Sequence, residues 1–305
     1  MGMRSVAPAQ RALTLGGLAV AALWFLAWMR ADRPGVAVAG VAAVCLLHAV
    51  VLAMEFVLMA RANRREAVPQ PTLGEIVRAW AAETVAGWRV FCWRQPFASA
   101  RHPDHLPHPA IPARRGVLLV HGFVCNRGLW NGWMVRLRTV GVPHVAVNLE
   151  PVHASLDAYA GLVEVAVQRL ERATGLPPVV VAHSMGGLVV RRWLVDAGLS
   201  RVHHVITLGT PHHGTELARW ALSINARQMR RDSRWLQALR ERESEETGRR
   251  FTCFHSHCDN IVFPALTATL PGADNRHLAG VAHVQMTEHP QPLQVLWQRL
   301  DQGAG

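Results

Sequence analysis

Two long apolar stretches, residues 12–29 and 36–60, fill most of the first sixty positions and restrict the fold more than any other feature of the chain. The first has no charged residue, and the second carries one acid, Glu55, near its far end. At 1.5 Å per residue the first spans about 27 Å as a helix, close to the roughly 30 Å of a bilayer hydrocarbon core. Arg30-Ala31-Asp32-Arg33-Pro34-Gly35 separates the two as a tight polar turn. The pattern predicts a transmembrane helical hairpin over residues 1–65. One rival is a cleaved signal peptide, for which Arg4 and Arg11 speak. Trp28-Met29-Arg30 has no small-x-small cleavage pattern, however, and a second apolar run follows at once. The other rival is a pair of helices buried in a soluble protein. Arg4 and Arg11 precede the hairpin and Arg61, Arg64 and Arg65 follow it, against Arg30 and Arg33 beside Asp32 in the turn. The positive-inside rule then puts both ends, and everything downstream, in the cytoplasm.

The rest of the 305 residues suffices for a sizeable core, and 50% hydrophobic against 17% charged residues excludes a disordered or fibrous chain. The formal charge is +11, and every cation is arginine, since the chain has no lysine. Such a balance suits an anionic membrane or nucleic acid. The arginines are dispersed and interleaved with acids, and no nucleic-acid-binding module is recognisable, so no nucleic-acid partner is expected. Five cysteines, Cys45, Cys92, Cys125, Cys253 and Cys258, are an odd number without zinc-site spacing. Neither a disulfide framework nor a metal or cofactor site is implied. A Cys253–Cys258 bridge would require a periplasmic location.

Residues 66–115 connect the hairpin to the remainder. Leu73, Ile76, Val77, Trp80, Ala81, Thr84 and Val85 share one helical face, with Glu75, Arg78 and Glu83 on the other. This helix could lie at the membrane interface, anchored by Trp80 and Trp88, or pack on a soluble domain. Trp88 to Trp93 has the composition of a strand. His102, His105 and His108 alternate with prolines and read as an extended linker, because no helix gathers them on one face.

Residues 116–305 alternate apolar runs with amphipathic segments. Strands are expected at Gly116–His121, Val145–Leu149, Val179–His183 and Val202–Leu208. Helices are expected at Leu129–Val140, Leu156–Ala173 and Met185–Asp196. Continuous apolar strands between helices mean an α/β fold with a mostly parallel sheet covered on both faces. Within it, Val181-Ala182-His183-Ser184-Met185-Gly186-Gly187 runs a strand straight into a serine with a helix beginning behind it. Small residues two before and two after, Ala182 and Gly186, let strand and helix approach, which is the pattern of a nucleophile elbow. The alternative is a serine that merely caps a helix.

These residues, with His121-Gly122-Phe123 upstream and Gly209-Thr210-Pro211-His212-His213-Gly214 downstream, resemble bacterial triacylglycerol lipases and esterases of the α/β-hydrolase superfamily. They also resemble the lipase-like domain of GPI-inositol deacylases. The resemblance covers about residues 116–290 and implies an α/β-hydrolase fold with a helical cap. It implies that the backbone N–H groups of Phe123 and Met185 form an oxyanion hole, with Gly122 leaving room for the backbone to approach. His121 reads as a structural hydrogen-bonding residue. The chain order of this fold is serine, acid, histidine. Phe251 to Ser256 reads as a strand leading to Asp259, and Ser256, Asp259 and Val262 match the family's Ser-x-x-Asp pattern with valine three further on. A short strand, His277 to Ala282, would deliver His283. Asp259 is the expected acid and His283 the base, with Asp196, Asp274 and His289 as rivals.

Between Gly214 and Arg250, amphipathic segments bearing Leu217, Trp220, Ala221, Ile224, Trp235, Leu236 and Leu239 suggest a cap or lid at about 215–250, with His212 and His213 near its base. The expectation is a bacterial inner-membrane serine hydrolase that cleaves lipid-like carboxylic esters from the cytoplasmic side, without cofactor or metal. The alternatives are an acyltransferase or thioesterase using the same triad, or a catalytically idle membrane binding module.

Overall fold

The computed structural model describes residues 5–106 and 114–302. Arg4, His108 and the rest of the linker to residue 113 lie outside them. α1 (Ala7–Arg30) and α2 (Pro34–Asn63) are antiparallel, and both are long and apolar enough to cross a bilayer. α3 (Leu73–Gly87) starts at a capping box in which Thr72 and Glu75 satisfy each other's backbone donors. The expected strand at Trp88–Trp93 is instead a π-helical turn, Trp88–Arg94, running on from α3 into the single turn α4 (Gln95–Phe97). Tertiary contacts override the strand-like composition. The wide turn sets Arg89 and Arg94, five apart, around Glu288 at 2.7 and 2.9 Å, while Val90 is buried.

Beyond the linker the elements alternate: β1 (Val117–Val120), α5 (Asn131–Thr139), β2 (His144–Ala146), α6 (Ala160–Thr174), β3 (Val179–His183), α7 (Met185–Ala197), β4 (His204–Leu208), α8 (Ile224–Gln228), α9 (Arg234–Arg242), β5 (Phe251–His255), β6 (Asp274–His277) and α10 (Pro290–Asp301). Among the described residues the strands form one parallel sheet of order β2-β1-β3-β4-β5-β6. Alternate side chains of each strand feed opposite faces. Leu118, Val120, Val180 and Ala182 pack with α6 and α7, and Val117, Leu119, Val179 and Val181 with α5 and α10. The strand expected at His277–Ala282 is shifted: β6 ends at His277, and a turn through Gly280, at φ +69°, carries the chain to His283. Gln285 Oε1 accepts the Ala282 N–H there, so this backbone is satisfied by a turn rather than by the sheet.

The hairpin is not a free tether. Phe56, Met59 and Ala62 of α2 and Ala79 of α3 pack with Cys258, Phe263 and Ala282 of the sheet domain. Asn63 donates to the His257 carbonyl and accepts from the Ala265 amide, at 2.9 and 3.0 Å. α3 combines the two expected settings: Leu73, Val77 and Val85 of its apolar face are exposed, Ile76 and Trp80 pack on the cluster around Phe263, and Glu83 of the charged face is only 2% exposed. Periodicity groups residues into faces but does not say which face finds a partner.

The segment 215–250 forms a 3₁₀ turn at Glu216–Trp220 followed by α8 and α9. Arg191 of α7, fully buried, clamps it through Glu243 at 2.5–2.7 Å and also donates to the His212 carbonyl at 2.9 Å. His212 is turned into the core, hydrogen-bonded to Thr207 at 3.1 Å. Replacing Glu243 with Ala strands the Arg191 charge, which should cost about 3–5 kcal/mol. Thermal unfolding followed by tryptophan fluorescence in detergent should show the lowered midpoint.

Candidate active site

The C-terminal ends of β1, β3, β5 and β6 converge on one edge of the sheet, where ligands bind in open α/β folds. β3 ends at His183, and Ser184 follows with φ +54° and ψ −129°, a strained conformation for a residue with a Cβ. The strain aims the side chain out of the strand–helix turn. Close packing fixes the turn: a Cβ on Gly186 would lie 2.6 Å from the His121 carbonyl, and one on Gly122 would lie 2.8 Å from Ser184 Cβ. Ala182 is buried in the sheet below. Thr210 donates to the Ser184 carbonyl at 2.9 Å, tying the loop after β4 to the elbow. Met185 is the first residue of α7, where its N–H has no carbonyl a turn earlier to bond, and Phe123 lines the same cavity as Ser184. His121 accepts from the Leu149 amide at 2.9 Å through Nε2 and approaches the Gly122 carbonyl through Nδ1, so its ring is spent on holding the backbone. Burial pushes its pKa down to about 4.

Asp259 and His283, 24 residues apart, meet as Oδ2 and Nδ1 at 3.0 Å and are almost wholly buried. The other oxygen of Asp259 accepts the Ile261 and Val262 amides at 2.9 and 2.8 Å, which fixes the carboxylate. Burial alone would lower the His283 pKa. The charge and hydrogen bond of Asp259, with Glu83 and Glu55 behind, outweigh it and leave the pKa raised. With Nδ1 bonded to the carboxylate, Nε2 is left for the cavity, which Ser184 and His283 both line. The rival residues lie elsewhere. Asp196 pairs with Arg192 and Arg242, Asp274 with Arg276, and His289 caps α10.

Three supports of His283 escape the sequence reading. His183 Nε2 lies 3.2 Å from the His283 carbonyl with the two rings 4.5 Å apart, and burial drives the His183 pKa far down, so it is a neutral donor. Asn260 Oδ1 accepts the His283 amide at 3.3 Å, and Asn260 Nδ2 donates to Glu55 of α2 at 2.7 Å. Glu83 of α3 accepts the Val284 and Gln285 amides at 2.8 and 2.9 Å, its pKa pushed up to about 7 by burial. A histidine directly before the elbow serine was a visible signal for the first. Glu83 had none, since it falls with Glu75 and Arg78 on the charged face of its helix. The described cysteines are all free, and burial pushes the Cys253 and Cys258 thiols up to about 12.

Gly209, at φ +54°, sits beneath the pair: a Cβ there would lie 2.7 Å from Asp259 Oδ2 and 2.9 Å from His283 Nδ1. Gly209→Ala should displace the pair by a few tenths of an ångström or more. Proton NMR should show the low-field Nδ1–H resonance lost or moved upfield, and an unchanged resonance would contradict this packing.

The chain was compared with known proteins. None of the curated proteins matches it. Among solved structures, the mature lipase BlEst2 of Bacillus licheniformis superposes with a TM-score of 0.55 at 19% identity, over 65% of this chain and 96% of that one. Lipase B of Aspergillus fumigatus gives 0.52 at 19% identity, over 62% and 54% of the two chains. At that identity these likenesses show a shared fold. The Alpha/beta hydrolase family profile matches residues 117–298, more than half of the 305. With the parallel sheet, the serine turn after β3 and the acid and histidine in chain order behind it, the chain belongs to the alpha/beta hydrolase family.

Proposed function

We propose that the protein is a membrane-anchored serine hydrolase that cleaves carboxylic esters of lipid-like substrates, with Ser184 as nucleophile, His283 as base and Asp259 as orienting acid. The observation that carries this reading is the buried Asp259–His283 pair opening on the same cavity as a serine held at positive φ. His283 Nε2 takes the Ser184 proton as Oγ adds to the ester carbonyl. The resulting oxyanion meets the N–H groups of Phe123 and Met185, and loss of one such donor typically costs about 10²–10³ in rate. The alcohol leaves with the proton from His283, and Asp259 stabilises the imidazolium meanwhile. Water then adds to the acyl-enzyme with His283 again as base, and release of the acid restores Ser184.

The cavity, about 300 Å³, is lined mainly by apolar side chains such as Leu52, Phe91, Phe123 and Leu217, which suits a hydrophobic acyl group. The lipases that share the fold add to this reading. The two apolar N-terminal helices are read as a hairpin in a bacterial inner membrane. The arginines flanking its apolar runs at the open end, Arg4, Arg11, Arg61, Arg64 and Arg65, favour a cytoplasmic catalytic domain.

Ser184→Ala should abolish both hydrolysis of p-nitrophenyl esters and labelling by a fluorophosphonate probe, and activity retained in that variant would refute the assignment. The base works only when neutral, and its pKa is raised, so the acid limb of kcat/KM should lie above pH ~6.5. Asp259→Asn removes the charge that raises it. The limb should therefore move to lower pH while kcat falls about 10⁴-fold, as a pH–rate profile of the variant would show.

A further inference from the structure

The apolar run 36–60 contains one histidine and one acid, His48 and Glu55, seven residues apart and hence on one face of α2. Both line the cavity that holds Ser184 and His283, with Leu52 between them. Ionisable groups within a membrane-spanning segment are costly and mark functional sites. Glu55 is accounted for by Asn260. His48 is not: its Nε2 is buried without a hydrogen-bond partner, beside Gly87 of α3, where any Cβ would collide with the imidazole.

At 30 residues α2 is about 45 Å long, some 15 Å more than a hydrocarbon core. Its second half is the part packed on the catalytic domain: Ala49, Leu52, Phe56, Met59, Ala62 and Asn63 are buried, but only Ala37 earlier. The opposite face of that half, Val50, Met54 and Val57, stays exposed, and so do Val77, Val85, Trp88 and Trp93 nearby in the chain. An exposed apolar belt with tryptophans is the signature of a surface lying in the membrane interface. The cavity lies directly behind it.

We infer that α2 is a wall of the substrate site as well as an anchor. A bilayer-resident ester lipid enters laterally past α2 and α3, its acyl chain along Leu52 and Phe91 and its polar end beside His48, whose imidazole turns from Gly87 to donate a hydrogen bond to it. This rests on the serine-hydrolase reading and narrows its substrate to lipid presented by the bilayer.

The test uses the full chain in phosphatidylcholine vesicles, with a fluorogenic phosphatidylcholine as lipid substrate and p-nitrophenyl butyrate as soluble substrate. His48→Ala should lower the ratio of kcat/KM for lipid over soluble ester at least about tenfold. In the Ser184→Ala protein, a phosphatidylcholine with a photoactivatable acyl chain should crosslink to the cavity-facing Leu52 of α2 and to Phe91, beyond the bilayer-facing Val50 and Met54. An unchanged ratio in His48→Ala, or crosslinks confined to Val50, Met54 and Val57 that avoid Leu52 and Phe91, overturns the proposal. Ester turnover that survives in Ser184→Ala would instead refute the serine-hydrolase reading, so the two failures are distinguishable.

Discussion

Glu83 of α3 grips the two amides that follow His283, and much of the molecule is organised by that contact. A buried carboxylate without partners would be prohibitively costly, so Glu83 can be buried only where backbone donors are presented to it. The chain presents them at the one loop whose position sets the histidine. The same loop is held from below by Asp259, at its amide by Asn260 and at its carbonyl by His183. Asn260 in turn reaches Glu55 on α2. Two carboxylates from the N-terminal helices thus support a histidine that the sheet delivers from its far edge. The N-terminal helices and the sheet domain are joined by these polar contacts in addition to the apolar packing of Phe56, Met59 and Phe263.

Such contacts explain what the sequence disclosed. Strands β1, β3 and β4 were legible because strands buried on both faces must be continuously apolar, and few other structures require that. The elbow was legible because strand, serine, small residues and helix occur together in one short motif. The contact of Asp259 with His283 followed from chain order, each residue standing in a loop beyond a strand. The π-turn at Trp88–Arg94 was hidden, since its aromatic and β-branched composition is that of a strand and its cause, Glu288, lies about two hundred residues away. Glu83 was hidden for a related reason. Helical periodicity placed it on the charged face of α3 with Glu75 and Arg78, and only the tertiary fold reveals that Glu83 alone of the three is buried. The end of β6 was misplaced because Gly280 and Gln285 build a turn where the residue types permit a strand.

Burial also sets the chemistry of the many histidines. Those spent on structure, His121, His183 and His212, have their pKa values lowered by desolvation and remain neutral, so they hydrogen-bond their neighbours without bringing charge into the core. His283 is equally buried but faces carboxylates, and its pKa moves the other way. One residue type is thus held neutral or drawn toward its charged form according to whether a negative charge stands beside it.

The intimate seat of α2 and α3 has a consequence for how this chain can be altered. A tether joined by a loose linker can be exchanged for another or removed, and the enzyme behind it is unaffected. Here, cutting away the first hundred residues would strip one wall from the cavity, leave Val284 and Gln285 without their acceptor, and expose Phe263 and Cys258 to water. The N-terminal helices and the sheet domain are therefore a single packed unit. Changes in one are constrained by the other, and a soluble version would have to be redesigned along the whole α2–α3 contact rather than trimmed at a boundary.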